Sequence, residues 1–224
     1  MKRVLITGAK GRIGQILTKG LSGNYLLTPA DLPEVDARDY GGLLKSFSGQ
    51  DVVIHLAWKI NTENFQHETT DVENHAMFEN AYRAALDAQV PRIVMASSVH
   101  ADDFTGQHGE LLTPQRLPSP TSPYGAHKVF MESMGRYYSK KGLEVVCVRF
   151  AATGYGVDLN VLGVDGKALW FSDGDCVGLI KKILEAKEIP NNFLIMYGIS
   201  NNQTRVHDYQ NPLGWIPQDD SGEI

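Results

Sequence analysis

The chain has 224 residues, 42% of them hydrophobic and 21% charged, an ordinary balance for one globular unit that buries ~70% of the surface its unfolded chain exposes. Lysine and arginine number 21 against 26 aspartates and glutamates, and the net charge of −5 lacks the basic footprint of a nucleic-acid binder. No apolar run approaches the ~18 residues of a bilayer crossing, and Cys147 and Cys176 form no CxxC pair, so the reading is a cytoplasmic protein with reduced thiols, neither membrane-bound nor secreted.

Apolar runs of strand length alternate with stretches of helical periodicity. Val4-Leu5-Ile6 predicts the first strand, and Gly11 to Leu21 the first helix. A strand at Tyr25-Leu26-Leu27, a helix from Asp39 to Phe47, a strand at Val52-Val53-Ile54 and a helix from Thr70 to Ala88 follow. The strand at Ile93-Val94-Met95, the helix from Pro123 to Lys141, the strand at Val145-Val146-Cys147-Val148, the helix from Asp173 to Ala186 and the strand at Phe193-Leu194-Ile195-Met196 complete the series. Strands apolar on both faces suit a parallel sheet covered on each side. The expected fold is therefore α/β, a doubly wound parallel sheet of the Rossmann type in three layers, α/β/α. Residues 151–169 and those after Gly198 lose their period and read as loops. One domain over 1–224 is expected, with 151–171 and 198–224 as its substrate side, a minimal carboxyl-terminal extension.

Between the first strand and helix lies Thr7-Gly8-Ala9-Lys10-Gly11-Arg12-Ile13-Gly14, a TGxxGxxG pattern. Glycines there permit a sharp turn and close approach of backbone amides to a pyrophosphate, which the helix N-terminus then favours by its dipole. Asp31 ends the second strand, where a carboxylate accepts the ribose hydroxyls of an adenosine and repels a 2′-phosphate. NAD is therefore preferred over NADP, although Lys10 and Arg12 bring positive charge to the same loop.

Tyr124 and Lys128 stand four residues apart, on one face of a helix that Pro123 starts well. Free tyrosine, with a pKa near ~10, is a poor base. A cation ~4 Å away contributes up to ~4 kcal/mol at an effective dielectric of ~20, enough to lower that pKa by a unit or two. Tyr124 then takes a proton from an alcohol while hydride leaves the same carbon, and Ser98, at the end of the Ile93 run, holds the substrate oxygen.

On the glycine loop, Asp31 and the YxxxK pair, the chain resembles an extended short-chain dehydrogenase/reductase, the family of NAD-dependent sugar epimerases and dehydratases. The resemblance implies that Ser98, Tyr124 and Lys128 are catalytic. It also implies that Gly8, Gly11, Arg12, Ile13, Gly14, Asp31, Leu32, Asp36, Ala37, Leu56, Ala57, Trp58, Asn74, Tyr124 and Lys128 bind the cofactor, and that Ser98, His100 and Tyr124 touch substrate. Pro91-Arg92-Ile93-Val94, Ser97-Ser98-Val99-His100, Trp170-Phe171-Ser172 and the tail Leu213 to Asp219 are similar to the branch of uronate and aldose dehydrogenases. That branch implies oxidation of a sugar at C1 to a lactone, and the family implies a homodimer through the Thr70 and Pro123 helices.

Two positions depart from the branch: Val99 replaces an asparagine, and between Tyr155 and Trp170 Lys167 is the only cation where an arginine is expected to grip a carboxylate. A neutral aldose is thus at least as open as a uronate. Two alternatives stay open: a nucleotide-sugar epimerase, dehydratase or reductase, and a non-catalytic NAD(H)-sensing regulator. His67, Asp71 and His75 recur every fourth residue, but the spacing also describes a polar helix face and no fourth ligand is apparent, so no metal is expected. Trp170 and Phe171 read as core, and Tyr155 and Asp158 more simply as residues of a flexible loop than as part of a substrate lid.

Overall fold

The computed structural model describes residues 1–60, 68–103, 111–154 and 163–224, with side chains from residue 166 in the last stretch. Strands and helices alternate as β1 (Arg3–Thr7), α1 (Arg12–Leu21), β2 (Leu26–Ala30), α2 (Tyr40–Phe47), β3 (Val52–His55), α3 (Val72–Asp87), β4 (Arg92–Ser98), α4 (Pro123–Ser139) and β5 (Glu144–Phe150). Then come β6 (Ala152–Thr153), α5 (Gly163–Ala168), β7 (Trp170–Phe171), α6 (Asp173–Glu185) and β8 (Phe193–Gly198).

Six strands form one parallel sheet in the order β2-β1-β3-β4-β5-β8. Successive side chains point to opposite faces, so each strand feeds two cores. Leu5, Val53, Ile93, Met95, Val145 and Cys147 meet α2, α3 and α4 on one face. Val4, Ile6, Ile54, Val94, Val146 and Val148 meet α1 and α6 on the other. This is the doubly wound, three-layer fold that the alternation predicts. Because β2 lies on one side of β1 and β3 on the other, the strand order reverses at β1, and a crevice opens there at the carboxyl ends of the strands.

Helix starts follow local chemistry. Asp39, Asp71, Ser122 and Ser172 accept backbone N–H groups in the first turns of α2, α3, α4 and α6, each cap worth about 1 kcal/mol. α1 differs: its N-cap is Gly11, which has no side chain to spend on the free amides.

The loop expected over 151–169 is corrected in part. β6 and β7 pair in parallel, Ala152 beside Trp170 and Thr153 beside Phe171, and α5 lies between them. Two-residue strands carry no readable period; what fixes these is burial of Phe171, whose ring packs 6.1 Å from Trp215 and 6.3 Å from Phe150. Trp170 and Phe171 are core, as their residue types suggest. After β8 the chain is largely irregular but anchored: buried Asp175, on α6, accepts the Gln218 and Asp219 N–H groups and the Ser200 hydroxyl. No helix of the described residues is long and apolar enough to cross a membrane.

Candidate active site

Two adjoining clefts run along the carboxyl edge of the sheet, about 760 and 540 Å³ in volume, and both reach Gly8, Gly11, Leu56, Trp58 and Lys59. Volumes of this order suit a bound cofactor and a small substrate. The glycine loop lies at their junction because of how tightly its backbone packs. Gly8 has φ +66°, and a Cβ there would lie 2.8 Å from the Ala57 amide nitrogen; on Gly14 it would lie 2.4 Å from the Gly8 carbonyl oxygen. Thr7 braces the neighbouring strand end: its hydroxyl accepts the Leu56 and Ala57 N–H groups and hydrogen-bonds His55 Nδ1 at 2.9 Å. The uncapped amides of α1 and these close-packed glycines form a cradle that fits a pyrophosphate.

The smaller cleft carries Asp31, Leu32, Asp36, Ala37 and Ala57. Asp31 is held in place by the Lys10 and Leu32 N–H groups, at 2.7 and 2.8 Å. The Lys10 ammonium donates to the Leu32 carbonyl and lies 3.4 Å from Glu34, so its charge is partly matched. Asp36 is paired with Arg38, which also reaches Glu73, and the pairing holds the Asp36 carboxyl below its usual range.

The larger cleft brings together Ser98, His100, Tyr124 and Lys128, with Arg12, Ile13, Gly14, Leu56, Trp58 and Asn74 along the same wall. Ser98 ends β4, and its hydroxyl accepts the His100 N–H at 3.2 Å as the chain enters the short turn Val99–Ala101. The His100 ring meets the Tyr124 ring edge to face at 5.6 Å. Closeness of the two segments depends on Gly125: a Cβ there would lie 1.9 Å from the His100 carbonyl oxygen and 3.1 Å from the Pro120 side chain. Gly125→Ala is therefore expected to push the first turn of α4 off the Ser98 turn and lower turnover about 10- to 100-fold, with a fall in Tm. Turnover within twofold of wild type, measured alongside a melting curve, would contradict that packing.

The lysine does not do what its spacing suggests. Lys128 is fully buried; its ammonium donates to the Ala96 carbonyl at 2.7 Å and sits 3.4 Å over the Trp58 ring, but 5.6 Å from the Tyr124 ring centroid. Burial lowers its pKa from 10.5 to about 7, opposed by the negative charge of Glu132. Burial likewise raises Tyr124 above its ordinary 10, opposed by a hydrogen bond with Ser98 that favours the phenolate. The phenol lowered by a cation ~4 Å away is thus corrected: both side chains line one cleft, but in this structure desolvation governs each of them. His100 is also shifted down by burial, and His127 mainly by burial with Lys128 adding to it.

Asn74 lies on the cleft wall, with its amide group committed to the backbone of Lys59 in both directions, at 2.7 and 2.9 Å. Of the spaced trio, Asp71 caps α3 and pairs with Lys59 at 3.2 Å, His75 pairs with Glu79 at 3.2 Å, and His67 lies outside the described residues. Among the described residues no group of three or more His, Cys, Asp or Glu is placed to hold a metal ion. Tyr155 and Asp158 also lie outside the described residues. The sequence reading passed over His127 and Lys59, which line the larger cleft; their only sequence signal is adjacency to Lys128 and Trp58. Thr153, on the same wall, falls in the 151–171 stretch expected on the substrate side.

Comparison with known proteins agrees with this geometry. The profile of the NAD dependent epimerase/dehydratase family matches residues 4–162. L-arabinose 1-dehydrogenase (NAD(P)(+)) of Haloferax volcanii is 29% identical, covering 100% of this chain and 99% of that protein. Uronate dehydrogenase of Agrobacterium fabrum is also 29% identical, over 99% of this chain and 86% of its own length. The crystal structure of a tyrosine-to-alanine variant of uronate dehydrogenase from Agrobacterium tumefaciens, complexed with NAD, superposes with a TM-score of 0.84 at 27% identity, over 100% of this chain and 87% of that one.

Proposed function

This chain belongs to the NAD dependent epimerase/dehydratase family, and from that premise we propose that it is an NAD-dependent dehydrogenase that oxidises a sugar hydroxyl, at C1 of an aldose or uronate, to a lactone. The observation that carries the reading is convergence: Ser98, Tyr124 and Lys128 meet at one end of a cleft whose other end is the glycine loop, with Asp31 in the adjoining cleft. The dehydrogenase activities of the arabinose and uronate relatives support it.

Bound NAD supplies the hydride acceptor and a positive ring that favours a nearby phenolate. The uncapped first turn of α1 and Gly8, Gly11 and Gly14 hold the pyrophosphate, and Asp31 accepts the adenosine ribose hydroxyls. Ser98 donates a hydrogen bond to the substrate oxygen, holding it beside Tyr124 Oη, which takes the hydroxyl proton. His100 walls the substrate side, and Lys128, whose ammonium lies 3.4 Å over the Trp58 ring, would hold the cofactor ribose. Cytoplasmic location and a homodimer through α3 and α4, whose Phe130 and Tyr137 are exposed, belong to the same reading; light scattering at one chain mass would remove the dimer.

The test is a panel of neutral aldoses, aldonates and uronates with NAD and NADP in parallel. NADH formation with at least one sugar, faster with NAD than NADP, is expected. A chain that binds NAD yet oxidises none of them is not this enzyme. With no arginine between residues 155 and 170, a neutral aldose is expected to turn over at least as well as its uronate.

A further inference from the structure

One layer behind the cleft lies a buried ionic network that the catalytic proposal does not use. Ser97, Arg149 and Tyr197 sit side by side across β4, β5 and β8, in register. Arg149 is 0% exposed. Its Nε and Nη2 donate to the two carboxylate oxygens of Glu132 at 2.8 Å each. Glu132 belongs to α4, one turn beyond Lys128, and also accepts the Ser97 hydroxyl at 2.6 Å. On its other edge, Arg149 Nη1 donates to the Tyr197 hydroxyl at 3.0 Å, and that hydroxyl donates to Asp102 at 3.1 Å. Asp102 closes the turn that begins at Ser98: its N–H donates to the Val99 carbonyl, and its carboxylate accepts the Asp103 and Ser119 N–H groups. Arg149 Nη1 and Arg116 Nε each lie 3.7 Å from that carboxylate.

An apolar core of the same volume serves stability as well as, or better than, a buried ion pair, whose desolvation offsets much of its attraction. A fork fixed in a plane, however, holds two carboxylate-bearing segments at a set separation, which apolar contacts do not. Here the two segments carry the reacting groups. Glu132 is on the helix of Tyr124 and Lys128; Asp102 ends the turn of Ser98 and His100. We propose that Arg149 is a positioning residue that clamps α4 to the Ser98 turn through Glu132 on one edge and Tyr197–Asp102 on the other, so fixing the Ser98–Tyr124 hydrogen bond. The role rests on the dehydrogenase reading for its kinetic consequence but not for its geometry.

Arg149→Lys tests it, because the lysine keeps the buried positive charge and loses the two-edged fork. Relative to wild type, kcat of the variant is expected to fall about 10- to 100-fold while the sugar KM changes less than threefold, a misplacement that acts in the transition state and not on uniform binding. The NAD affinity, set at the β1–β3 end, is expected to stay within twofold. A merely structural arginine would lower Tm and leave kcat per folded molecule unchanged, and that result overturns the proposal. Tyr197→Phe, which deletes only the hydroxyl linking Arg149 to Asp102, gives the same pattern at a smaller scale and serves if the lysine variant does not fold. Crystal structures of both variants separate this inference from the functional one. If no sugar is oxidised by wild type, a Ser98–Tyr124 hydrogen bond retained in the variants still overturns the clamp, and its loss upholds it.

Discussion

Tyr124→Phe is expected to lower the rate of sugar oxidation at least ~10³-fold while leaving the affinity for NAD within about threefold of wild type. The phenylalanine ring fills the same space beside His100, 5.6 Å away in the native arrangement, so the cleft keeps its shape. What is lost is the oxygen that hydrogen-bonds Ser98 and that the proposed mechanism uses as proton acceptor. Burial holds the phenol above its ordinary 10 in this structure, so wild-type turnover should rise as pH increases from neutral into the alkaline range, and the residual rate of the variant should lose that rise. Steady-state rates from NADH absorbance across pH, with calorimetric titration of NAD, check both halves. Retained turnover would remove Tyr124 from the chemistry. Lost turnover with intact NAD binding would exclude a pure sensor, which has no use for a proton acceptor.

Lys128→Met is expected to abolish turnover and at the same time to raise Tm. Lys128 is 3% exposed at the cleft wall, and among the described residues its ammonium meets the Ala96 carbonyl and the Trp58 face, with Glu132 and Cys147 farther off. These do not offset desolvation, which is why its pKa falls from 10.5 to about 7. A methionine of similar length removes the buried charge, for a gain of about 1–2 kcal/mol, or roughly 2–8 °C in a chain of this size. The sign with pH is fixed by the direction of the shift. Between about 7 and 10.5 the unfolded lysine binds a proton that the folded one does not, so wild-type stability recovers as pH rises through that window. The advantage of the variant should therefore be largest below neutral pH and shrink toward alkaline pH. Melting curves at both ends of the window measure it; a lower Tm for the variant would mean that the cation stabilises the fold, and a pH-independent difference would mean that burial does not lower the lysine pKa. Trading stability for a buried ionisable group is the pattern of a functional site.

Much of this protein was legible before any coordinates. Strands such as Val52-Val53-Ile54 are apolar on both faces, so they demand helices on two sides, and that demand gives the doubly wound sheet. The glycine loop, Asp31, Ser98, Tyr124 and Lys128 were legible because each sits at a strand end or helix start whose place in such a sheet is set by topology. Three things were not. The pairing of β6 with β7 depends on Phe171 meeting Phe150 and Trp215, contacts between distant parts of the chain that leave no local period. The clamp of Arg149 on Glu132 was signalled only by a charged residue inside an apolar strand run, and its partner sits seventeen residues away on a helix. The protonation balance of Tyr124 and Lys128 follows from burial, which a four-residue spacing does not contain. Sequence alone determined which groups reach the crevice, because periodicity and turn chemistry are local. Only the tertiary structure decided how those groups are charged and held, because desolvation and ion pairing depend on everything that surrounds a side chain in space.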